Sequence, residues 1–152
     1  MTNASRPRFL DALIGGAIGA TTLTLIHQAA RHRVPEAPRV DLIGDRLVAR
    51  GLEAIGIDPP TGDDLETTAL AGDLVSNALY YALAGLGPPS GAIARGLALG
   101  VVGGLGSVVL PPLLGLGRRE TSGTPARTAM TVAWYTAGGL AAGLVIDRLG
   151  RR

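Results

Sequence analysis

The longest stretches without a charged residue predict where this chain crosses a membrane. Residues 96–117 contain no Asp, Glu, Lys or Arg over 22 positions, and residues 128–146 contain none over 19 positions. A helix of about 20 apolar residues spans the hydrocarbon core of a bilayer. Both stretches are apolar on every side, whereas a helix on the surface of a soluble protein is striped. We therefore expect membrane-spanning helices over residues 91–112 and 128–147.

Two further stretches reach a similar length only when polar residues are included. They predict spans over residues 9–30 and 67–87, and the second of these contains one acid in its apolar part, Asp73. The first span also has the form of a secretory signal, with basic residues before an apolar run. Because it lacks a good small-x-small cleavage site, we interpret it as an uncleaved anchor.

The polar segment between the first two spans contains a predicted amphipathic helix. Apolar residues recur at helical spacing over residues 39–56, with Arg, Asp and Glu on the other side. Gly56 and the pair Pro59-Pro60 end the pattern. Two placements are open: the helix packs on the other helices of the chain, or it lies flat in the membrane interface.

These elements together predict an all-α fold. We expect one integral membrane domain over residues 1–152, a four-helix transmembrane bundle of two helical hairpins, with an amphipathic interfacial helix in the first loop. The short turn Gly87-Pro88-Pro89 predicts that the second and third spans also form an antiparallel hairpin. Four spans place both termini on one side. The Arg residues are divided too evenly between the two sides to predict the orientation.

Composition supports a membrane protein and excludes several kinds of chemistry. Only 17% of residues are charged, against roughly 25% in soluble domains, and 23 residues are Gly. Small residues let helices approach closely in lipid but fill a water-soluble core poorly. The chain has no Cys and no Lys, which excludes disulfides, thiolate metal sites and Schiff-base lysines. Since no P-loop, dinucleotide, GxSxG or HExxH motif is present, we predict no enzyme activity, no cofactor and no metal.

Glycines spaced four residues apart form faces on three of the predicted spans. Such faces let two helices pack at close range, within one chain or between two copies. The predicted helix-packing residues are Gly15 and Gly19 in the first span, Gly96, Gly100 and Gly104 in the third, and Gly139 and Gly143 in the fourth.

A polar stripe runs along the second span and forms the candidate intramembrane site. It comprises Asp73, Ser76, Asn77 and Tyr80, with Tyr81 at its border. A second polar set in the first span, Thr21, Thr24 and Gln28, is placed to meet it. Polar groups in a spanning helix face other helices or water rather than lipid. Either Asp73 handles a proton or a cation, or it lies near headgroup depth and only bonds a neighbour.

Several short segments resemble a type of small bacterial membrane protein. They are Gly15-Gly16-Ala17, His27-Gln28, Pro38-Arg39-Val40-Asp41, Gly72-Asp73-Leu74-Val75-Ser76-Asn77, and the run from Pro111-Pro112 to Gly117. The type consists of four-helix integral membrane proteins and has no shared known activity. The resemblance covers most of the chain and implies a multi-pass protein of the bacterial inner membrane.

Two classes of function follow from these patterns. The glycine faces favour a non-catalytic accessory subunit or scaffold that acts by helix–helix association. The polar stripe around Asp73 favours a small oligomeric transporter or channel. The expected partners are the lipid bilayer and another membrane protein or a second copy of this chain. The isoelectric point near 9.7 does not indicate nucleic-acid binding, because the Arg residues flank the apolar spans.

Overall fold

The computed structural model describes residues 8–152, and these residues are all-helical with no strand. The helices are α1 (Arg8–Arg31), α2 (Val40–Ala54), α3 (Asp63–Ala82), α4 (Ala92–Leu113), α5 (Arg119–Ser122) and α6 (Pro125–Gly150). Two single 3₁₀ turns, Leu83–Gly85 and Pro89–Gly91, connect α3 to α4. The prediction of an all-α chain is therefore confirmed.

Local sequence signals account for the helix ends. α6 begins with Pro125 in its first turn, and the hydroxyl of Thr124 accepts a hydrogen bond from the backbone N–H of Arg127 at 3.2 Å. These are the preferred residues for a helix start. α4 ends one residue after Pro112, and the chain then turns through Gly115 and Gly117, both at positive φ. Pro111 and Pro112 thus lie in the last turn of α4, close to the predicted end of the third span at residue 112.

Three helical segments are long and apolar enough to cross a membrane: Arg8–Arg31, Pro89–Leu113 and Pro125–Gly150. They coincide with the first, third and fourth predicted spans. α3 does not reach this level of hydropathy, although it forms a helix of 20 residues. The reason is its polar content, since three acids lie in its first turn and Asp73 lies further along. Hydropathy therefore supports three of the four predicted spans, and α3 is the exception.

The four long helices are arranged in the order α3–α1–α6–α4. α6 packs against α1 on one side and against α4 on the other, and α3 packs against α1. Neighbouring helices are antiparallel. In the pair of α1 and α6, for example, Gly15 near the start of α1 lies against Ile146 near the end of α6. At the centre lies a small core of Ala20, Leu23, Tyr81, Tyr135 and Ala142.

The predicted hairpin between the second and third spans needs correction. A short turn joins α3 to α4, but the two helices contact each other at only a few places. One of these places is the hydrogen bond from the Tyr80 hydroxyl to the backbone oxygen of Leu99, at 2.9 Å. The turn fixes only one end of the pair, and α3 packs on α1 while α4 packs on α6. A gap therefore remains between α3 and α4.

α2 packs on the helices of its own chain, which agrees with the first of the two placements left open by the sequence. It lies across the first turns of α3, with Ile43 buried. Arg46 donates to the backbone oxygen of Leu116 at 2.5 Å and forms an ion pair with Glu120 at 2.7 Å. Arg50 donates to the backbone oxygens of Leu114 and Gly115, both at 3.0 Å. These bonds attach α2 to the segment between α4 and α5.

Candidate functional site

The polar stripe of α3 faces the gap between α3 and α4. Helical spacing places Asp73, Asn77 and Tyr80 on one side of α3. The side-chain amide of Asn77 donates to Oδ1 of Asp73 at 2.9 Å. The Ser76 hydroxyl donates to the backbone oxygen of Asp73 at 3.1 Å. Four of the residues predicted from the sequence therefore share one surface.

That surface forms one wall of a groove of about 460 Å³. α4 forms the opposite wall, α2 covers one end, and Tyr135 of α6 contributes to the interior. The lining consists of Val40, Ile43, Gly44, Leu47, Asp73, Ser76, Asn77, Tyr80, Val102, Gly103, Gly106, Ser107, Leu110, Pro111, Leu114, Leu116, Thr121 and Tyr135. Within the part of the chain that the structure describes, Asp73 is the only Asp, Glu, Lys, Arg or His in this lining. The groove is otherwise apolar, with a few hydroxyl groups.

Tyr80 connects α3 to α4 at the edge of the groove. Its hydroxyl is bonded to Leu99 of α4, and its ring lies beside Gly103. A Cβ placed on Gly103 would lie 3.1 Å from Cε1 of Tyr80 and 3.2 Å from Cδ1 of Tyr135. A larger residue at position 103 would therefore push against both aromatic rings. The tyrosine side chains set the distance between α3 and α4 at this level.

Three polar residues of the groove were not predicted from the sequence. Ser107, Thr121 and Tyr135 come from α4, α5 and α6, far from the α3 stripe in the chain. The Tyr135 hydroxyl lies beside the side chains of Ser107 and Asn77. One signal for Ser107 was present, because it is the single hydroxyl or amide residue within the apolar run 96–117. Tyr135 had no such signal, since a tyrosine near the end of a span is usually an interfacial anchor.

Tyr81, predicted at the border of the stripe, does not line the groove. It is fully buried in the core, and its hydroxyl donates to the backbone oxygen of Tyr135 at 2.8 Å. It follows Tyr80 by one residue, so its side chain points about 100° further around α3. That rotation turns it toward α1 and α6. Tyr81 is therefore a packing residue, which corrects its predicted place in the site.

The predicted polar set of α1 divides between two environments. Thr24 and Gln28 line a second cavity of about 50 Å³, together with His27, Asp41, Asp45 and Asp73. Thr21 lies exposed and lines neither cavity. The smaller cavity lies at the last turns of α1, beside α2, and Thr21 lies about two turns before Gln28. The prediction that all three residues meet the α3 stripe is therefore corrected for Thr21.

The smaller cavity has room for about three water molecules. Three buried polar atoms, Oγ1 of Thr24, Nε2 of His27 and Oδ1 of Asp45, have no hydrogen-bond partner among residues 8–152. The His27 ring packs edge-on against Trp134, with ring centroids 5.0 Å apart. Because Asp73 lines both cavities, it stands between this small polar space and the larger groove.

Ion pairs surround the mouth of the smaller cavity. Nη1 of Arg31 lies 2.7 Å from Glu66 and 3.7 Å from Asp41, and Arg39 also pairs with Asp41 at 2.7 Å. Burial opposes ionisation of Asp41, but the hydrogen bonds and the charge of Arg39 hold its pKa below the usual value. Burial and the nearby charges of Asp41 and Glu66 raise the pKa of Asp45. Arg31 is thus already engaged by two acids.

The glycine faces are covered by helices of the same chain. Positions Gly96, Gly100 and Gly104 of α4 lie against α6 at Gly139, Thr136 and Val132, and Gly143 lies against the start of α4. Gly15 and Gly19 of α1 lie against Ala142 and Gly138 of α6. The sequence analysis missed Gly16, which lies against Ala78 and Ala82 of α3. These faces therefore offer no open surface to a second protein.

The chemical groups of the site suit binding. The groove offers one carboxylate, an amide, several hydroxyls and two tyrosine rings within apolar walls. Residues 8–152 contain no group of three His, Asp or Glu side chains arranged to hold a metal ion. In comparisons with known proteins, the chain matches no family model, no curated protein and no solved structure.

Proposed function

We propose that the chain is a multi-pass protein of a bacterial cell membrane, in which α1, α3, α4 and α6 form a four-helix transmembrane bundle. Support for including α3 comes from its outer side. Val75 and Leu79 have 60% and 57% of their surface exposed, and Leu83 in the following turn has 44% exposed. Soluble proteins rarely expose a continuous apolar surface of this kind. In lipid, the same residues lie in a favourable environment while the polar stripe stays inside.

The proposed function is that of a small carrier that binds a largely apolar molecule in the groove between α3 and α4. The observation that carries this proposal is the groove itself, which is about 460 Å³ in volume and has Asp73 within apolar walls. Small-molecule sites are typically clefts of about 300–1,000 Å³ with mostly apolar linings and a few polar groups. The groove lies between two proposed spans, so a molecule dissolved in the bilayer can enter from the side.

We propose a carrier rather than an enzyme because the polar groups of the groove form no acid–base pair. Asp73 is bonded to the amide of Asn77, which cannot transfer a proton at ordinary pH. Catalytic pairs hold two groups that exchange protons within hydrogen-bond reach of each other. The arrangement instead provides a charge, hydrogen bonds and apolar contact, which are the requirements of recognition.

Blocking the groove tests this proposal. A Cβ on Gly106 would meet only Cδ1 of Leu110, at 3.8 Å, so Gly106→Phe fills the groove without disturbing the helix contacts. Gly72→Phe is the matched control. A Cβ on Gly72 meets nothing within 4 Å, and Gly72 lines neither the groove nor the smaller cavity. We expect small molecules extracted with the wild type and Gly72→Phe to be lost from Gly106→Phe, as measured by mass spectrometry. Identical extracts from all three proteins would refute the proposed groove site.

A second candidate function, non-catalytic association with a partner protein, rests on a different observation. Val102 and Leu110 of α4 have 62% and 55% of their surface exposed at the rim of the groove. These two residues make an apolar rim that a helix of an accessory partner could cover. A pull-down from native membranes in mild detergent distinguishes the two functions. Asp73→Asn should abolish transport, whereas it should leave a stoichiometric partner bound.

A further inference from the structure

The charge of the groove is one-sided. Asp73 is the one acid in its lining, and no Arg, Lys or His of the described chain lines it. No ion pair joins Asp73 to another residue within 8–152, and Asn77 donates a hydrogen bond to Oδ1. The neighbouring cation, Arg31, is held by Glu66 and Asp41. A carboxylate in apolar surroundings is costly unless an opposite charge compensates it. The groove is therefore complementary to a positive charge.

Two tyrosine rings strengthen this complementarity. Tyr80 and Tyr135 both line the groove, and a Cβ on Gly103 would lie within 3.2 Å of each ring. The faces of aromatic rings attract cations, most strongly where water is excluded. An organic cation in the groove can therefore lie between a carboxylate and two aromatic rings. A small hydrated metal ion would gain less, because the lining supplies a single carboxylate and otherwise only hydroxyl and amide oxygens, without a second charged ligand.

The remaining walls require an apolar body on the ligand. Val102, Leu110 and Leu114 of the α4 side and Ile43 and Leu47 of α2 make up most of the surface away from Asp73. A strongly hydrated ligand would lose its water shell against these side chains without replacement. A ligand with a delocalised or shielded charge loses much less.

We infer that the ligand class of the groove is the lipophilic organic cation, with its charge beside Asp73 and its apolar body against α2 and α4. This inference rests on the proposed function, because it names what the groove carries. The carboxylate supplies charge selection, and the apolar walls supply most of the contact area.

Two probes of the same shape and opposite charge test the inference on the unaltered protein. Tetraphenylphosphonium and tetraphenylborate have nearly the same size, but the first is a cation and the second an anion. We expect radiolabelled tetraphenylphosphonium to bind to nanodiscs containing the protein, above the level of empty nanodiscs. Tetraphenylborate should show no excess. Equal binding of the two ions would overturn the charge selection.

Variants of Asp73 test the residue itself. Asp73→Asn should weaken tetraphenylphosphonium binding about 30-fold, because it removes one partner of a partly desolvated charge pair. Asp73→Glu keeps the charge and should keep the preference for the cation. Asp58→Asn changes the net charge equally at an exposed loop position, so it should bind as the wild type does. Unchanged binding by Asp73→Asn, or an equal loss in Asp58→Asn, would overturn the inference.

Failure of the inference is distinguishable from failure of the proposed function. If neither probe binds, but small molecules still disappear from the Gly106→Phe extract, the groove is a binding site and the cation assignment is overturned. If Gly106→Phe and Gly72→Phe give identical extracts, the groove site itself fails. Charge-selective binding that Gly106→Phe abolishes and Gly72→Phe retains supports both.

Discussion

The two long sides of α4 contact their neighbours in opposite ways. On the side toward α6, Gly96, Gly100 and Gly104 bring the two backbones into direct contact, so no space remains between the helices. On the side toward α3, Gly103 and Gly106 face a groove of about 460 Å³. The same residue type therefore lines both a direct backbone contact and a groove on the two sides of one helix.

The difference lies in what the opposite helix presents. α6 offers Gly139 opposite Gly96, and it offers its backbone at Thr136 and Val132 opposite Gly100 and Gly104. α3 offers Tyr80, Asn77 and Asp73 instead, and the Tyr80 ring fills the space beside Gly103. Small residues let the backbones of membrane helices approach closely, provided that no large side chain of the partner helix points into the contact. A glycine on one helix alone leaves room for a ring or a ligand.

The largest expected effect comes from adding the same side chain to the two sides of α4. A Cβ on Gly100 would lie 2.6 Å from Cα of Thr136 and 2.7 Å from the backbone oxygen of Tyr135. Because backbone cannot move aside as a flexible side chain can, Gly100→Leu should destabilise the fold by about 3 kcal/mol or more. Gly106→Leu should change stability by at most about 1 kcal/mol. Yield and elution profile in detergent measure the difference.

Gly72→Leu serves as the control for this pair, since it adds the same side chain at an open helical position. Its yield should match that of Gly106→Leu. A normal yield and elution volume for Gly100→Leu would show that the α4–α6 contact is looser than its geometry indicates. An equal loss in Gly106→Leu would contradict an open groove.

An intermediate effect is expected from two adjacent tyrosines that face the two environments. Tyr81→Phe removes a hydrogen bond to Tyr135 within the fully buried core. Tyr80→Phe removes one to Leu99 at the half-buried edge of the groove. We expect Tyr81→Phe to cost about 1 kcal/mol and Tyr80→Phe less. Denaturation by sodium dodecyl sulfate, compared with the wild type, measures both. A larger loss in Tyr80→Phe would mean that its bond holds α3 and α4 together.

The smallest effect concerns the ion pairs that attach α2. Burial opposes ionisation of Glu120, but the hydrogen bond and charge of Arg46 keep its pKa below the usual value. An acid with a lowered pKa stabilises the fold above its ordinary value and loses this contribution as the pH falls through the lowered value. We therefore expect the stabilisation from Glu120 and Asp41 to be intact at pH 7 and to decline as the pH falls below about 4.

Glu120→Gln isolates one part of this acid sensitivity. Arg46 has 42% of its side-chain surface exposed, so the contribution should be no more than about 1 kcal/mol. Melting temperatures in detergent at pH 7 and pH 3.5 should differ less for Glu120→Gln than for the wild type. The exposed acid of α2, Glu53, provides the control, and Glu53→Gln should melt as the wild type does at both values. Asp45 acts in the opposite direction, because its raised pKa makes its charge unfavourable in the fold and acid relieves it.

The sequence by itself determined where the long helices lie and identified the three segments that are apolar enough for a membrane, although it also predicted a span at α3. Charge-free runs predicted α4 and α6, and helical spacing of apolar residues predicted α2, because both depend only on residues close together in the chain. The stripe of Asp73, Asn77 and Tyr80 was visible for the same reason. A local pattern shows which residues share one face of a helix, but it does not show which residues of other helices lie opposite that face.

Only the tertiary structure decided which faces meet. The glycine spacing was equally compatible with packing inside the chain and between copies, and the covering residues of α6 settle this for Gly96, Gly100 and Gly104. Tyr80 and Tyr81 looked alike in sequence, yet one lines the groove and the other fills the core. Ser107 and Tyr135 joined the site from distant helices. Such assignments depend on how packed helices are rotated and how far apart they lie. The periodicity of a single helix carries no information on either.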